Sequence, residues 1–233
     1  MLQGVYVLDF LLASMLLIGM PVYAILRGLS TRHPPVDKLR RYRRSIASIS
    51  ILLMILLVDW VITARGLTQL GLAAPTSHAA IGGFVVAVLV AIVLFFYLAS
   101  ITKSNVEKAT RPDDQAHNIL PESRDELRLF VVFTIMAGFG WEVLYRGFLL
   151  FWLSPMIGLA PAVAASSTAY GLCHGYKTMT QTVGSLVSSL LFTTGYATTG
   201  NLWWLIILHI ALPLLSVLAT SRTERTVASH TAG

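Results

Sequence analysis

The chain has 233 residues, of which 55% are hydrophobic and only 12% are charged. Its mean hydropathy is +0.72. The charged fraction is well below that of soluble globular domains, in which about 25% of the residues are charged. This composition excludes a soluble globule, a disordered chain and a secreted disulfide-rich domain. Cys173 is the single cysteine, which excludes an intramolecular disulfide and a thiolate metal cluster. We therefore predict an all-α polytopic membrane protein.

Apolar runs recur along the chain, and each is long enough to cross a hydrocarbon core of roughly 30 Å as a helix of about 20 residues. About seven transmembrane helices are expected on this basis. They lie near residues 5–26, 45–64, 79–101, 127–150, 160–176, 179–197 and 202–220. The first run has no basic residue before it and Arg27 after it, so we expect it to stay as a helix and not to be cleaved as a signal peptide.

Three regions follow from these spans. Residues 1–120 hold the first three helices with their basic connections, residues 121–221 hold the remaining helices with the candidate active site, and residues 222–233 form a tail. At the start of the second region, PESRDEL predicts the beginning of the fourth helix, with Ser123 as its N-cap and Glu126 as the capping-box partner.

Lysine and arginine residues are concentrated on one side of the predicted membrane. The connection 27–44 holds seven of them and the connection 102–128 holds five, while Arg65 is the single basic residue expected on the opposite side. Because cytoplasmic loops hold the excess of basic residues, we predict an N-terminus outside and a C-terminus in the cytoplasm. The compact length favours a bacterial plasma membrane. The basic run RRYRR at 40–44 is expected to face anionic lipid headgroups of the bilayer and not nucleic acid.

A few ionisable residues lie within or near the predicted spans, where a charge is costly and usually faces a protein interior or water. For Asp9 and Asp59, near the ends of the first two spans, we expect interfacial or helix-packing roles. Glu142 and Arg146 lie one helical turn apart in AGFGWEVLYRGFLL at 137–150, so the two side chains can pair on one face. Such a pair can lock two helices together or serve a chemical site.

Two later spans each supply one intramembrane histidine, His174 in AYGLCHGYK and His209 in WWLIILHIALP. A histidine and a carboxylate can polarise a water molecule and return its proton to a leaving amine, which is the minimum equipment for peptide hydrolysis. Glu142, His174 and His209 can also bind a divalent metal such as zinc. The spacing leaves catalysis with and without a metal open. Cys173, beside His174 in sequence, is expected to fill the core.

These residues lie in three short motifs on consecutive hydrophobic helices: WEVLYR at 141–146, YGLCH at 170–174 and HIALP at 209–213. The arrangement resembles the CPBP family of intramembrane proteases, which includes CAAX prenyl endopeptidases and bacteriocin-processing or self-immunity proteins. Family members show Glu-Glu-x-x-x-Arg, then Phe-x-x-x-His, then His-x-x-x-Asn or Asp. The resemblance covers about 121–215. It implies a CAAX-protease-like bundle with its site between the fourth, fifth and seventh helices.

The resemblance also implies a role for each candidate residue. Glu142 would be the surviving carboxylate and Arg146 its orienting partner. His174 would be the second half of the water-activating site, and His209 would stabilise the tetrahedral oxyanion.

Three positions differ from the family pattern. Trp141 stands where the first glutamate belongs, Tyr170 replaces the phenylalanine, and Pro213 replaces the terminal amide or acid. In the family the first glutamate is taken as the water-activating base, and a tryptophan cannot accept a proton, so we hypothesise that Glu142 has taken over as the base. This requires a helix rotation or a bulge, since one residue turns a side chain by about 100°. The glycines of GFG at 138–140 offer flexible backbone for it.

The sequence therefore predicts an intramembrane endopeptidase that hydrolyses membrane-associated peptides or proteins with a Glu/His-activated water molecule. The resemblance implies a prenylated C-terminal peptide or a leader or bacteriocin-like peptide as substrate. The alternative is a catalytically impaired relative that acts as a binding, scaffold or immunity protein, which Trp141 and Pro213 favour. A small transporter or proton relay would use the same polar residues, but we see no repeat symmetry of the kind that many transporters show.

Overall fold

The architecture is a helical bundle around a buried polar centre. The structure, a computed structural model, describes residues 7–29, 37–100, 120–173 and 178–231, with side chains for 7–29, 37–97, 120–173 and 178–218. Within these ranges there are seven helices and no strand. They are α1 (Val7–Leu29), α2 (Lys38–Ile62), α3 (His78–Ser100), α4 (Arg124–Ile157), α5 (Leu159–Cys173), α6 (Met179–Thr199) and α7 (Trp203–Thr231). The predicted all-α fold is confirmed.

Four of the described helices, α1 to α4, are long and apolar enough to cross a membrane by length and composition. The other three are shorter or more polar. α5 has 15 residues, which at a rise of 1.5 Å per residue is about 22 Å, and the apolar part of α7 is Trp203–Leu218. Serine and threonine residues recur through the 21 residues of α6. The chain is an integral membrane protein.

α2 begins at Lys38, whereas the predicted span begins at residue 45. The basic run 40–44, expected in a connecting loop, is therefore helical. The carboxylate of Asp37 caps this helix by accepting a hydrogen bond from the amide of Arg40 at 2.9 Å. Lysine and arginine are good helix formers, so a capping residue ahead of them starts the helix before the apolar run. The prediction of a loop here was wrong for this reason.

α4 begins as predicted. The hydroxyl of Ser123 accepts a hydrogen bond from the amide of Glu126 at 3.2 Å, which confirms Ser123 as the N-cap. The Glu126 carboxylate turns back to the amide of Glu122 at 2.7 Å, one residue before the position that a capping box uses. Glu122 also pairs with Lys38, at 2.5 Å. This ion pair ties the start of α2 to the start of α4.

The bundle is held by contacts of α4 with its neighbours. α2 packs along the first half of α4, α7 packs against both α3 and α4, and α5 contacts α1, α4 and α6. Fully buried leucines and aromatic rings from several helices fill the contact region. Many large apolar side chains on α1, α2 and α3 are exposed, as expected for surfaces that face lipid tails.

A buried cluster of charged residues ties α1 to the end of α2. Arg65, in the turn after α2, donates to both carboxylate oxygens of Asp9, at 2.8 and 2.5 Å, and to Asp59 at 3.0 Å. Its guanidinium carbon lies 5.1 Å from the ring centroid of Trp60 and 5.2 Å from that of Phe151. Both aspartates are buried. The helix-packing roles predicted for Asp9 and Asp59 are confirmed.

We expect Arg65→Met to destabilise the protein, because it leaves two buried carboxylates without a cation, and removing one partner of a buried ion pair costs about 3–5 kcal/mol. The triple variant Asp9→Asn/Asp59→Asn/Arg65→Met should recover most of the loss, since it removes the charges together. Thermal unfolding in detergent, followed by circular dichroism, measures both. An unchanged Tm for Arg65→Met would show that the cluster does not stabilise the bundle.

Candidate functional site

The centre of the bundle contains one buried carboxylate that is shared by two helices. Glu142 and Arg146 on α4 are both buried, and Arg146 Nη1 donates to Glu142 Oε1 at 2.8 Å. Nδ1 of His209, on α7, lies 2.8 Å from the same oxygen. The structure thus brings together three of the four residues singled out in the sequence. The fourth, His174, lies outside the described residues.

The contact between Glu142 and His209 assigns the proton on the imidazole. An ionised carboxylate only accepts hydrogen bonds, so Nδ1 of His209 carries the proton and donates it. In the neutral ring, Nε2 is then unprotonated and can accept a proton. The His209 side chain is 28% exposed, whereas that of Glu142 is 3% exposed. The imidazole is therefore the more accessible part of the pair.

Two residues that the sequence analysis gave no role hold the guanidinium of Arg146. Thr193, on α6, accepts from Arg146 Nε at 3.3 Å and donates its own proton to the carbonyl of Ser189 at 2.7 Å. The ring of Tyr170, on α5, lies 4.1 Å from the guanidinium carbon, within the range of a cation–π contact. Thr193 carries no charge and no motif, so no sequence signal distinguishes it from the other threonines of α6.

Two atoms of the buried pair have no hydrogen-bond partner among the described residues. Glu142 Oε2 is an open acceptor and Arg146 Nη2 is an open donor, and both atoms are buried. Leaving such a group unpaired costs about 1–3 kcal/mol, and open buried groups in native proteins usually bind a water molecule or a ligand. The pair therefore keeps one acceptor and one donor for a further polar group.

Glu142 is the first residue of a π-helical segment, Glu142–Phe148, within α4. The amide of Leu149 donates to the carbonyl five residues back, so the carbonyl of Tyr145 loses its usual helical donor. The hydroxyl of Ser166, on α5, donates to that carbonyl at 2.5 Å. A bulge of the kind that the Glu142 hypothesis requires is thus present, and Ser166 stabilises it.

A second π-helical segment, Met15–Gly19, lies in α1. The amide of Met20 donates to the carbonyl five residues back, and Pro21 has no amide proton to offer. The carbonyl of Leu16 is therefore left without a helical donor. The hydroxyl of Tyr145 donates to it at 3.1 Å. Tyr145 joins the two π-helical segments. Its hydroxyl donates to the Leu16 carbonyl of α1, and its own carbonyl accepts from Ser166 of α5.

Cys173 and Trp141 pack around Tyr145. The Cys173 sulfur lies 2.9 Å from the Tyr145 hydroxyl oxygen, and Cys173 packs against the hydrophobic core, which confirms its predicted core position. The rings of Trp141 and Tyr145 have centroids 5.9 Å apart. The position of the family's first glutamate is thus occupied by a ring that packs against the core.

Pro213 lies one turn after His209, inside α7. Since proline has no amide proton, the carbonyl of His209 lacks its donor from this position. The chain therefore offers no proton acceptor at 141 and no side-chain donor at 213. Among the described residues, the polar chemistry of the site rests on Glu142, Arg146 and His209.

The close approach of α4 and α7 depends on Gly138. A Cβ atom at Gly138 would lie 2.5 Å from Ile210 Cγ1 and 3.2 Å from the Ile210 amide nitrogen, and one at Gly140 would clash with Ile49 of α2. Both glycines lie in regular α-helix ahead of the π-helical segment. The GFG motif at 138–140 therefore provides close packing, and the π-helical segment begins after it, at Glu142.

The described residues alone do not form a divalent-metal site, and His174, the third candidate ligand, lies outside them. The nitrogen of His209 that faces Glu142 is bonded to it, so the other ring nitrogen lies on the far side of the imidazole. The guanidinium of Arg146, which is always charged, shares Glu142 Oε1 and repels a second cation. In the described ranges, no three His, Cys, Asp or Glu side chains converge as a metal site would require.

Comparison with known proteins agrees with the motifs. Residues 123–215 match the family model described as type II CAAX prenyl endopeptidase Rce1-like. This segment is similar to that family. The resemblance to the CPBP proteases is confirmed, and the Rce1-like segment runs from the N-cap of α4 into α7, so it contains Glu142, Arg146 and His209. No curated protein and no solved structure matches the chain.

Tyr145→Phe should destabilise the protein, because it leaves the Leu16 carbonyl buried without a donor, and an unpaired buried acceptor costs about 1–3 kcal/mol. The matched control is Tyr23→Phe, which removes a hydroxyl from an exposed ring on α1. Thermal unfolding in detergent compares the two variants. Equal Tm values for Tyr145→Phe and Tyr23→Phe would contradict the role given to the Leu16 carbonyl.

Gly138→Ala should push α7 away from α4 and separate His209 from Glu142, because the new methyl group meets Ile210 at 2.5 Å. A clash in a well-packed core costs about 1–3 kcal/mol. Adding Ile210→Ala removes the closest atom and should restore part of the stability. The measurement is Tm in detergent. A Gly138→Ala variant as stable as the wild type would mean that the two helices can separate without cost.

Proposed function

We propose that the protein is an intramembrane endopeptidase that hydrolyses peptide bonds of membrane-associated peptides or proteins. The family of the segment 123–215 supports a protease. The observation that carries the mechanism is that Oε1 of Glu142 contacts both Arg146 and His209 at 2.8 Å. A buried carboxylate bonded to an imidazole whose other nitrogen has no hydrogen-bond partner among the described residues has the form of a general-base pair.

In the proposed reaction a water molecule lies on the Nε2 side of His209. His209 takes one proton as the water oxygen attacks the peptide carbonyl carbon, and Glu142 stabilises the imidazolium that forms. When the carbon–nitrogen bond breaks, the imidazolium returns the proton to the leaving amine. The products are a carboxylic acid and an amine, so the reaction consumes only water.

This assignment gives Glu142 and His209 roles that differ from those that the resemblance implies. There, Glu142 and His174 activate the water and His209 holds the oxyanion. Here the partly exposed imidazole of His209 receives the proton, because Glu142 is buried and already neutralised by Arg146. His174 keeps its implied role as a second group at the water molecule. We also propose that no divalent metal takes part, since the Arg146 cation occupies the carboxylate.

The position of the pair supports a substrate that enters from the membrane. Glu142 is residue 19 of the 34 in α4, close to the midpoint of a helix long enough to span the bilayer. We propose a prenylated C-terminal peptide or a leader or bacteriocin-like peptide as the substrate class. The basic starts of α2 and α4 support an N-terminus outside and a C-terminus in the cytoplasm, in a bacterial plasma membrane.

The test is cleavage of a quenched peptide library by the purified protein in detergent, with and without a chelator. We expect activity in the wild type, and losses of 100-fold or more (on the order of a general-base contribution) in Glu142→Gln, His174→Ala and His209→Ala. Two matched controls, Asp125→Asn on α4 and His78→Ala on α3, change exposed residues away from the site and should retain activity. The chelator should have no effect.

Retention of activity in His209→Ala with loss in Glu142→Gln would refute His209 as the proton acceptor and return that role to Glu142. Sensitivity to the chelator would refute metal independence.

A second function, binding without cleavage, is favoured by one observation: the Trp141 ring packs against the core where the family has its first glutamate. This reading predicts no cleavage by the folded wild type under conditions in which an active family member cleaves. It also predicts that Glu142→Gln keeps the binding or immunity phenotype if the variant folds. Loss of that phenotype in a folded Glu142→Gln variant would exclude it.

A further inference from the structure

The basic run at the start of α2 has no part in the site at Glu142. It lies where α2 and α4 begin together, because Lys38 pairs with Glu122. The ring of Tyr42 contacts Phe130 and Phe133 of α4, with centroids 5.7 and 5.5 Å apart. These contacts fix the first turns of the two helices side by side.

A surface groove of about 390 Å³ runs between these first turns. It is lined by Leu39 and Arg43 of α2 and by Asp125, Arg128, Leu129 and Val132 of α4. At a rise of about 1.5 Å per residue, Arg43 lies roughly 7.5 Å from the start of α2, and Arg128 lies roughly 6 Å from the start of α4. Because the helix starts are tied together, the two arginines lie at nearly the same level. Val132 lies one turn further along α4.

The charge of the groove is positive. In the described part of the chain no carboxylate pairs with Arg43, and Arg128 pairs only with Asp125, at 3.4 Å between two exposed side chains. Exposed pairs of this kind contribute little, so both guanidinium groups are available to an anion. Around the groove, the segments 37–44 and 122–128 hold seven basic and four acidic residues.

We propose that this groove binds an anionic phospholipid, with its phosphate on Arg43 and Arg128 and the start of an acyl chain along Val132. Both helices enter the membrane here, and basic residues at that level attract anionic headgroups. The apolar lining beside the two arginines fits a lipid, which carries its charge and its apolar chain in one molecule. An acidic protein segment would match only the charge.

Native mass spectrometry of the purified full chain tests the proposal. It compares the affinity for dioleoyl phosphatidylglycerol with that for dioleoyl phosphatidylcholine, which has the same chains and no net charge. The wild type should prefer phosphatidylglycerol. Each arginine near the surface contributes about fivefold, so Arg43→Gln/Arg128→Gln should weaken phosphatidylglycerol binding on the order of 25-fold and weaken phosphatidylcholine binding less.

The matched control is Arg44→Gln/Arg124→Gln, which removes two exposed arginines from the same helix starts but outside the groove. It should lose less than fivefold. An equal loss in both double variants would overturn the proposal in favour of diffuse attraction, and equal wild-type affinity for the two lipids would also overturn it. Displacement of the lipid by excess glycerol phosphate would refute the acyl-chain contact. If the groove variant fails to fold, Arg43→Gln alone should lose about fivefold.

Discussion

A carboxylate at the middle of a membrane helix needs a counter-charge, and the bundle is arranged around the one that serves Glu142. Arg146 supplies the charge from one turn away on α4. The groups that hold this pair come from three other helices: Tyr170 from α5, Thr193 from α6 and His209 from α7. The three shorter or more polar helices thus meet at the ion pair of Glu142 and Arg146. Their polar and aromatic side chains provide the contacts that this buried pair needs. An apolar neighbour at these positions would leave a buried charge poorly solvated.

Hydroxyl groups replace backbone amides at the two π-helical segments of the described helices. Each π-helical segment opens one carbonyl, and Tyr145 and Ser166 close those two carbonyls from other helices. In lipid no water is available to do so, and an open carbonyl is costly. The bulge that begins at Glu142 is therefore stabilised by tertiary contacts and not by its own sequence.

Ionisable residues in apolar runs were visible in the sequence, so Glu142, Arg146 and His209 could be predicted. Helical spacing predicted the pairing of the first two, and the family resemblance placed His209 at the same site. Thr193 could not be predicted, because an uncharged side chain in a helix rich in hydroxyl groups gives no signal. The contact between Tyr145 and Leu16 could not be predicted either, since its acceptor is a backbone atom. Hydropathy also misplaced the start of α2, because arginine is polar yet favours helix.

The contact of Tyr145 with α1 reaches outside the Rce1-like segment, and it uses a main-chain oxygen. Any amino acid at position 16 would present the same oxygen, so α1 can diverge widely in side chains while it continues to support the bulge. An alignment that compares side chains does not detect this dependence of the bulge on a main-chain oxygen. In the sequence, the sign of this dependence is Pro21, five residues after Leu16. A segment that began at residue 123 would lack α1, and the Tyr145 hydroxyl would lose the Leu16 carbonyl as its acceptor.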